Sequence, residues 1–100
     1  MQKKALIVED DGNIAELLRL YLEKDGLACS VAENGAAGIA EFERLKPDLV
    51  LLDIMLPVLD GWGVCREIRS MSNVPIIMLT AKEKRSIKWP GLKWARTTIL

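Results

Sequence analysis

The sequence predicts an α/β fold with a parallel sheet, because short apolar runs alternate with segments of helical periodicity. Residues 5–8, 49–52 and 74–79 are apolar runs of strand length. The segments between strands carry apolar residues at helical spacing over about 10 residues. Strands that alternate with such helices form a parallel sheet through right-handed crossovers. The chain has 100 residues, the size of one small domain.

The first predicted helix follows the strand at residues 5–8. Asn13 is its expected N-cap, because Glu16 stands three residues later at the capping-box position. Apolar residues recur at helical spacing as far as Leu22, and Gly26 closes the helix.

The next elements follow with short connections. Residues 28–32 alternate weakly and predict a second strand. The pair Asn34-Gly35 could form a hairpin turn, but the helical periodicity after it favours a second helix. A third helix is expected to begin at Asp60 or Gly61.

The central predicted strand covers residues 49–52 and is bounded by Asp48 and Asp53. A continuous apolar run is typical of a parallel strand that is buried on both faces. Ligands of open α/β sheets bind at the carboxyl ends of the strands. Asp53 is therefore placed for chemistry, with a solvated aspartate just beyond a strand as the alternative.

Polar residues follow three strands at one edge of the predicted sheet: Glu9 and Asp10, then Asp53, then Thr80. Two carboxylates about 4 Å apart repel by roughly 4 kcal/mol at an effective dielectric of 20. Mg²⁺ relieves such repulsion and suits one or two carboxylates together with waters and a phosphate. Asp53 is thus a candidate nucleophile for a phosphoryl group, whose oxygens the Thr80 hydroxyl could hydrogen-bond.

The net charge of zero hides two segments of opposite charge. Residues 1–82 carry 9 basic and 13 acidic side chains, whereas residues 83–100 carry 5 basic and 1 acidic. Trp89 and Trp94 also lie in the second segment. We therefore divide the chain into a core domain over 1–82 and an atypical basic, tryptophan-containing tail over 83–100. Basic residues that alternate with apolar ones suit nucleic acids or membranes, but we favour a tail without such a role.

Composition argues against membrane and secretory classes. No run reaches the roughly 18 apolar residues of a membrane span, and no secretory signal is visible at the start. Cys29 and Cys65 are isolated thiols without metal-ligand spacing, and the chain has no histidine. Free thiols in a cytoplasmic protein are the expectation.

Three motifs closely resemble the receiver domain of bacterial two-component response regulators. They are Leu6-Ile7-Val8-Glu9-Asp10-Asp11, the segment Asp48 to Pro57 with Asp60-Gly61, and Pro75-Ile76-Ile77-Met78-Leu79-Thr80-Ala81. The likeness covers residues 3–82 and is greatest to receivers that carry a winged-helix DNA-binding domain. It implies a flavodoxin-like fold with sheet order 2-1-3-4-5 and five helices.

The resemblance also implies a role for each site residue. Asp53 would take a phosphoryl group from a sensor histidine kinase in a Mg²⁺-dependent reaction. Glu9 and Asp10 would be the acidic pair, with Asp10 the more direct ligand, and the Met55 carbonyl a further ligand. Thr80 would be the switch hydroxyl. Such a domain is not an enzyme but a phosphoacceptor that assists its own phosphotransfer and dephosphorylation.

Residues 83–100 depart from the receiver pattern, which continues with a fourth helix, a fifth strand with an aromatic switch residue, a lysine and a fifth helix. We therefore expect a fold that is incomplete at its C-terminus and a truncated, switch-impaired receiver. One codon choice for this tail and its stop codon, read with one added G in front, encodes Gly-Glu-Glu-Val-Asp-Lys-Val-Ala-Gly-Leu-Glu-Met-Gly-Ala-Asp-Asp-Tyr-Ile-Val. That segment resembles the missing part, so a single-base deletion after Lys82 is our hypothesis for the tail.

Two alternatives stay open: a fully functional single-domain response regulator and, more distantly, a flavodoxin-like cofactor module or an aspartate-nucleophile phosphatase. We also expect a homo-oligomer that forms through the tail or through an exposed edge at residues 76–79. Residues 97–100 are β-prone and could fill the slot beside that edge, in their own chain or in a neighbour's. Without a DNA-binding domain, direct binding to nucleic acid is not expected.

Overall fold

The computed structural model describes residues 2–79 and 97–99, which form a five-stranded parallel sheet with helices on both faces. The strands are β1 (Lys4–Val8), β2 (Ala28–Ala32), β3 (Leu49–Asp53), β4 (Ile76–Leu79) and β5 (Thr97–Ile99). The helices are α1 (Gly12–Lys24), α2 (Gly35–Leu45) and α3 (Gly61–Arg69). The sheet order is β2-β1-β3-β4-β5, and every neighbouring pair is parallel. The predicted fold class and strand order are confirmed.

Each face of the sheet has its own hydrophobic core. One core joins α1, through Leu18 and Leu22, to sheet residues such as Ile7. The other joins α2 and α3, through residues such as Phe42 and Ile68, to the opposite face. All five residues of β3 are buried, as the continuous apolar run predicted for a central parallel strand.

Side-chain caps fix where the helices begin. The Asp11 carboxylate accepts hydrogen bonds from the backbone N–H groups of Asn13 (2.9 Å) and Ile14 (3.2 Å). The predicted N-cap at Asn13 is therefore wrong, because Asp11 is already extended after β1 and α1 starts at Gly12. Asn34 caps α2, which excludes the hairpin alternative.

The edge at β4 is covered, which is one of the two outcomes predicted for residues 97–100. β5 pairs with β4 in parallel, with Ile76 opposite Thr97 and Met78 opposite Ile99. The slot beside β4 is thus filled from within the same chain, and the predicted homo-oligomer stays a prediction. The rest of the predicted tail, including residues 83–96, lies outside the described residues.

Two further expectations concern single residues and spans. Cys29 and Cys65 are both free thiols, as predicted. Within residues 2–79 and 97–99, no helix has both the length and the apolar character that crossing a membrane requires.

Candidate functional site

The carboxyl ends of β1 and β3 bring three acidic side chains together. These strands are neighbours in the sheet, with Val8 opposite Leu52, so the residues that end them share one edge. Carboxylate oxygens of Glu9, Asp10 and Asp53 all lie within 4.8 Å of one another. We call these three residues the acidic cluster. Its formation follows from the parallel pairing, as the sequence predicted.

Burial divides the acidic cluster into an inner and an outer part. Glu9 and Asp53 are each only 1% exposed, whereas Asp10 is exposed. Two buried carboxylates at such short range repel each other more strongly than exposed ones, because less water screens them. The acidic cluster is therefore closed off at Glu9 and Asp53 and opens to solvent at Asp10.

Backbone N–H groups orient the two buried carboxylates. The Met55 N–H donates to Asp53 Oδ1 at 2.9 Å. The Asp11 N–H donates to Glu9 Oε2 at 3.1 Å. In each case the donor lies two residues after the acceptor in the chain. The turn after β1 therefore orients the Glu9 carboxylate, and the turn after β3 orients the Asp53 carboxylate.

Gly61 packs directly against the backbone of Asp53 and Ile54, a contact that was not predicted from the sequence. Its N–H donates to the Ile54 carbonyl oxygen at 3.0 Å. A Cβ atom at this position would lie 2.3 Å from the Asp53 carbonyl oxygen and 2.6 Å from Ile54 Cα. Only glycine lets the start of α3 approach the end of β3 this closely. The pair Asp60-Gly61 was the visible signal, since Asp60 caps α3 with a 2.9 Å bond from the Gly63 N–H.

The loop between β3 and α3 and the first turn of α3 expose apolar side chains. Met55 is 66% exposed and Trp62 is 43% exposed. Val58 is fully exposed and adopts a φ of +66°, a left-handed conformation that a β-branched residue rarely takes. The helical spacing had placed Trp62 among the residues that mark α3, without showing that it faces solvent.

Of the five predicted site residues, the structure brings Glu9, Asp10 and Asp53 together. Met55 lies in the adjoining loop and contacts Asp53 through its backbone N–H. Thr80 lies outside the described residues, so its role stays a prediction.

Comparison with known proteins identifies the family. The response regulator receiver domain profile matches residues 5–95. The chain belongs to the response regulator receiver family. The receiver domain is 44% identical over 88 residues to the sensory transduction protein RegX3 of Mycobacterium tuberculosis, which covers 88% of this chain and 39% of RegX3. It is 45% identical over 92 residues to the transcriptional regulatory protein ResD of Bacillus subtilis, which covers 92% of this chain and 38% of ResD.

Solved receiver structures match the fold as well. The BeF3-activated N-terminal receiver domain of Klebsiella pneumoniae RstA superposes with a TM-score of 0.75 at 42% identity, over 79% of this chain and 68% of that one. The N-terminal domain of a three-domain response regulator from Carboxydothermus hydrogenoformans gives a TM-score of 0.74 at 30% identity, over 97% of this chain and 80% of that one.

Membership fixes the general function of this receiver domain. Receivers belong to two-component systems, in which they interact with sensor histidine kinases and act as phosphoacceptors. They are generally not enzymes. The chain spans about two fifths of the length of the curated relatives it matches.

Proposed function

We propose that Asp53 is the phosphoacceptor of this receiver domain and that Glu9 and Asp10 hold the Mg²⁺ on which the reaction depends. One observation carries this assignment: the carboxylate oxygens of the three residues lie within 4.8 Å of one another at the carboxyl edge of the sheet. Asp53 ends the central strand β3, where ligands of open α/β sheets bind.

The donor set suits magnesium better than softer metals. The acidic cluster offers carboxylate oxygens only, and Mg²⁺ takes oxygen ligands at about 2.1 Å in an octahedral arrangement. Oxygens that share such an ion lie about 3–4 Å apart, which is compatible with the spacing of the cluster. The backbone carbonyl of Met55 is the proposed further ligand. The backbone N–H of the same residue already contacts Asp53.

The chain's own residues would prepare Asp53 for transfer. The Met55 N–H holds the Asp53 carboxylate in one orientation, which positions it as a nucleophile toward an incoming phosphoryl group. Bound Mg²⁺ would neutralise charge on the transferred group. Asp10, the exposed member of the cluster, would face an arriving donor, and Thr80, which directly follows β4, would hydrogen-bond the phosphoryl oxygens. In this role the domain assists its own phosphotransfer and dephosphorylation.

The proposed phosphoryl source is a sensor histidine kinase, in keeping with the family. The relatives named above are longer proteins, and two of them are named for sensory transduction and transcriptional regulation. The 100-residue chain is proposed to supply the phosphorylation-dependent part of such a system, without direct contact to nucleic acid.

Phosphorylation by a small donor tests the assignment of Asp53. The domain is incubated with acetyl phosphate and Mg²⁺, and the covalent phosphoryl group is detected by intact-protein mass spectrometry. We expect modification of the wild type and of the control Asp48→Asn, which changes the aspartate at the other end of β3. Asp53→Asn should remain unmodified. Modification of Asp53→Asn to the same extent as the wild type would assign the acceptor elsewhere.

Metal binding is measured separately, by Mg²⁺ titration followed calorimetrically. Asp10→Asn should weaken Mg²⁺ affinity at least about tenfold, the range in which loss of a metal-site contact falls. The matched control is Asp25→Asn, which changes an aspartate at the far end of α1. Equal affinities for the wild type and Asp10→Asn would remove Asp10 from the metal site.

A further inference from the structure

Asp11 is the one residue of the run Glu9-Asp10-Asp11 that does not belong to the acidic cluster. Its carboxylate is engaged by helix α1 instead. The Oδ1 atom accepts the backbone N–H of Asn13 at 2.9 Å and that of Ile14 at 3.2 Å. Asp11 is thus the N-cap of α1, and it satisfies two N–H groups that the helix itself leaves without a partner.

The backbone of Asp11 connects the hydrophobic core to the acidic cluster. Its carbonyl oxygen accepts the N–H of Ala15 at 2.9 Å, and Ala15 is buried in the core beneath α1. Its own N–H donates to Glu9 Oε2 at 3.1 Å. Hydrogen bonds through Asp11 therefore join a helix that is anchored in the core to one of the buried carboxylates.

Resting on the Mg²⁺ site proposed above, we propose that Asp11 is a positioning residue for that site. The bonds by which its side chain caps α1 fix the peptide group whose N–H orients the Glu9 carboxylate. The backbone of Glu9 is already held by the sheet, because its N–H donates to the Ala32 carbonyl oxygen at 3.0 Å. Asp10 lies between these two fixed residues, so the backbone on both of its sides is held.

Such support matters because the acidic cluster is under electrostatic strain. Its carboxylate oxygens lie within 4.8 Å of one another, and like charges at this range repel. A donor that is fixed by a capped helix keeps the Glu9 carboxylate in place before the cation arrives. Groups that hold metal ligands through hydrogen bonds typically change metal affinity by 10-fold to 100-fold when they are lost. We expect the cap at Asp11 to act in this way.

Two neutral substitutions at Asp11 provide the test. Asp11→Asn and Asp11→Ala remove the same negative charge, but only asparagine can cap a helix with its side chain. Their difference therefore measures the cap and excludes the general effect of losing an acid. In calorimetric Mg²⁺ titrations of the full chain, we expect Asp11→Ala to bind at least about tenfold more weakly than Asp11→Asn. Asp11→Ser, a second capping residue, should bind like Asp11→Asn.

The matched control removes a cap from another helix. Asn34 Oδ1 accepts the N–H of Ala37 at 2.8 Å and caps α2. Asn34→Ala should lower stability as the loss of any N-cap does, but it should leave Mg²⁺ affinity at the wild-type value. If circular dichroism shows that Asp11→Ala is unfolded, Asp11→Gly takes its place. Glycine also lacks the side-chain acceptor, but it is far better tolerated than alanine at the start of a helix.

Equal Mg²⁺ affinities for Asp11→Asn and for the alanine or glycine variant would overturn the positioning role. A loss of affinity in Asn34→Ala as large as that in Asp11→Ala would overturn it too, because any lost cap would then have the same effect. In both cases a weakened Asp10→Asn would leave the metal site itself in place. A wild type that does not bind Mg²⁺ would instead refute the proposed metal site.

Discussion

Asp48 and Asp53 stand at opposite ends of strand β3, and their surroundings differ in kind. Asp48 is exposed, and its Oδ2 accepts the backbone N–H of Lys4 at 2.8 Å, while its own N–H donates to the Lys4 carbonyl oxygen at 2.7 Å. Asp53 is 1% exposed and faces two further carboxylates within 4.8 Å. Asp48 connects the starts of β1 and β3 through hydrogen bonds with Lys4. Asp53 instead adds a carboxylate to a site that already contains two.

This difference shows how one strand serves two purposes. At the amino end of the sheet, a carboxylate accepts the backbone N–H of Lys4, which stabilises the fold. At the carboxyl end, carboxylates are held together at a cost in repulsion, a cost that a bound cation would offset. The contact that stabilises the fold and the proposed functional site thus lie at opposite ends of β3.

The largest expected effect concerns the close packing behind Asp53. Gly61→Ala would place a Cβ 2.3 Å from the Asp53 carbonyl oxygen, so the start of α3 must move away from β3. We expect a loss of about 1–3 kcal/mol in the free energy of unfolding, together with slower phosphorylation. Urea denaturation and the acetyl phosphate assay measure the two effects.

Gly12→Ala is the matched control for this substitution. A Cβ at Gly12 meets nothing within 4 Å, and the residue begins α1. Alanine there should leave stability unchanged or raise it by about 0.4–1 kcal/mol, through lower entropy of the unfolded chain. Equal effects of the two substitutions would show that the approach of α3 to β3 is not tight.

Asp48, directly before β3, and Asp53, its last residue, should respond to substitution with opposite signs. In the absence of Mg²⁺, Asp53→Asn removes repulsion and should raise the free energy of unfolding by about 1 kcal/mol or more. Asp48→Ala removes the bond to Lys4 and should lower it by about 1 kcal/mol. Denaturant titrations without metal compare them, and a shift of both variants in the same direction would contradict the contrast.

A smaller effect is expected from a carboxylate that is paired away from the cluster. The Arg44 guanidinium, helped by the Ser30 hydroxyl, lowers the pKa of Glu41 from its ordinary 4.5 to about 2. Because the folded-state pKa is depressed, the stabilisation is complete above the unfolded value and disappears as the pH falls from about 4.5 to about 2. The hydrogen bond from Ser30 Oγ to Glu41 Oε2, at 2.5 Å, also links β2 to α2.

Glu41→Gln tests this pH dependence against Glu43→Gln, a neighbouring exposed position on α2. At neutral pH, Glu41→Gln should be less stable than the wild type, and the difference should shrink toward pH 2. Thermal unfolding across this range provides the measurement. A difference that stays constant with pH would show that the pairing contributes nothing through ionisation.

Much of the fold and the acidic cluster could be predicted because both follow from local patterns. The apolar run at 49–52 identified a central strand, and parallel pairing requires that Glu9, Asp10 and Asp53 meet at one edge. The N-cap of α1 was misplaced because Asp11 and Asn13 both fit a capping pattern. Which of the two residues caps the helix depends on where β1 ends.

Contacts between distant segments were beyond the sequence. Nothing local shows that Gly61 packs on the Asp53 backbone or that Trp62 remains 43% exposed on a helix with apolar spacing. The β-prone residues 97–99 could pair with β4 of their own chain or with the edge strand of a neighbouring chain. The sequence pattern of a strand is the same in both cases, so it could not decide between them. The observed pairing of β5 with β4 decides between them.

For protein engineering, Val58 is a position where the domain could gain stability without any change to its core. A left-handed backbone costs a β-branched residue about 1–2 kcal/mol, and the Val58 side chain is fully exposed, so no buried packing is lost by replacing it. Glycine would remove the strain but make the unfolded chain more flexible. Asparagine tolerates this conformation while restricting the unfolded chain more than glycine, which makes Val58→Asn the first substitution to include in a thermostable variant.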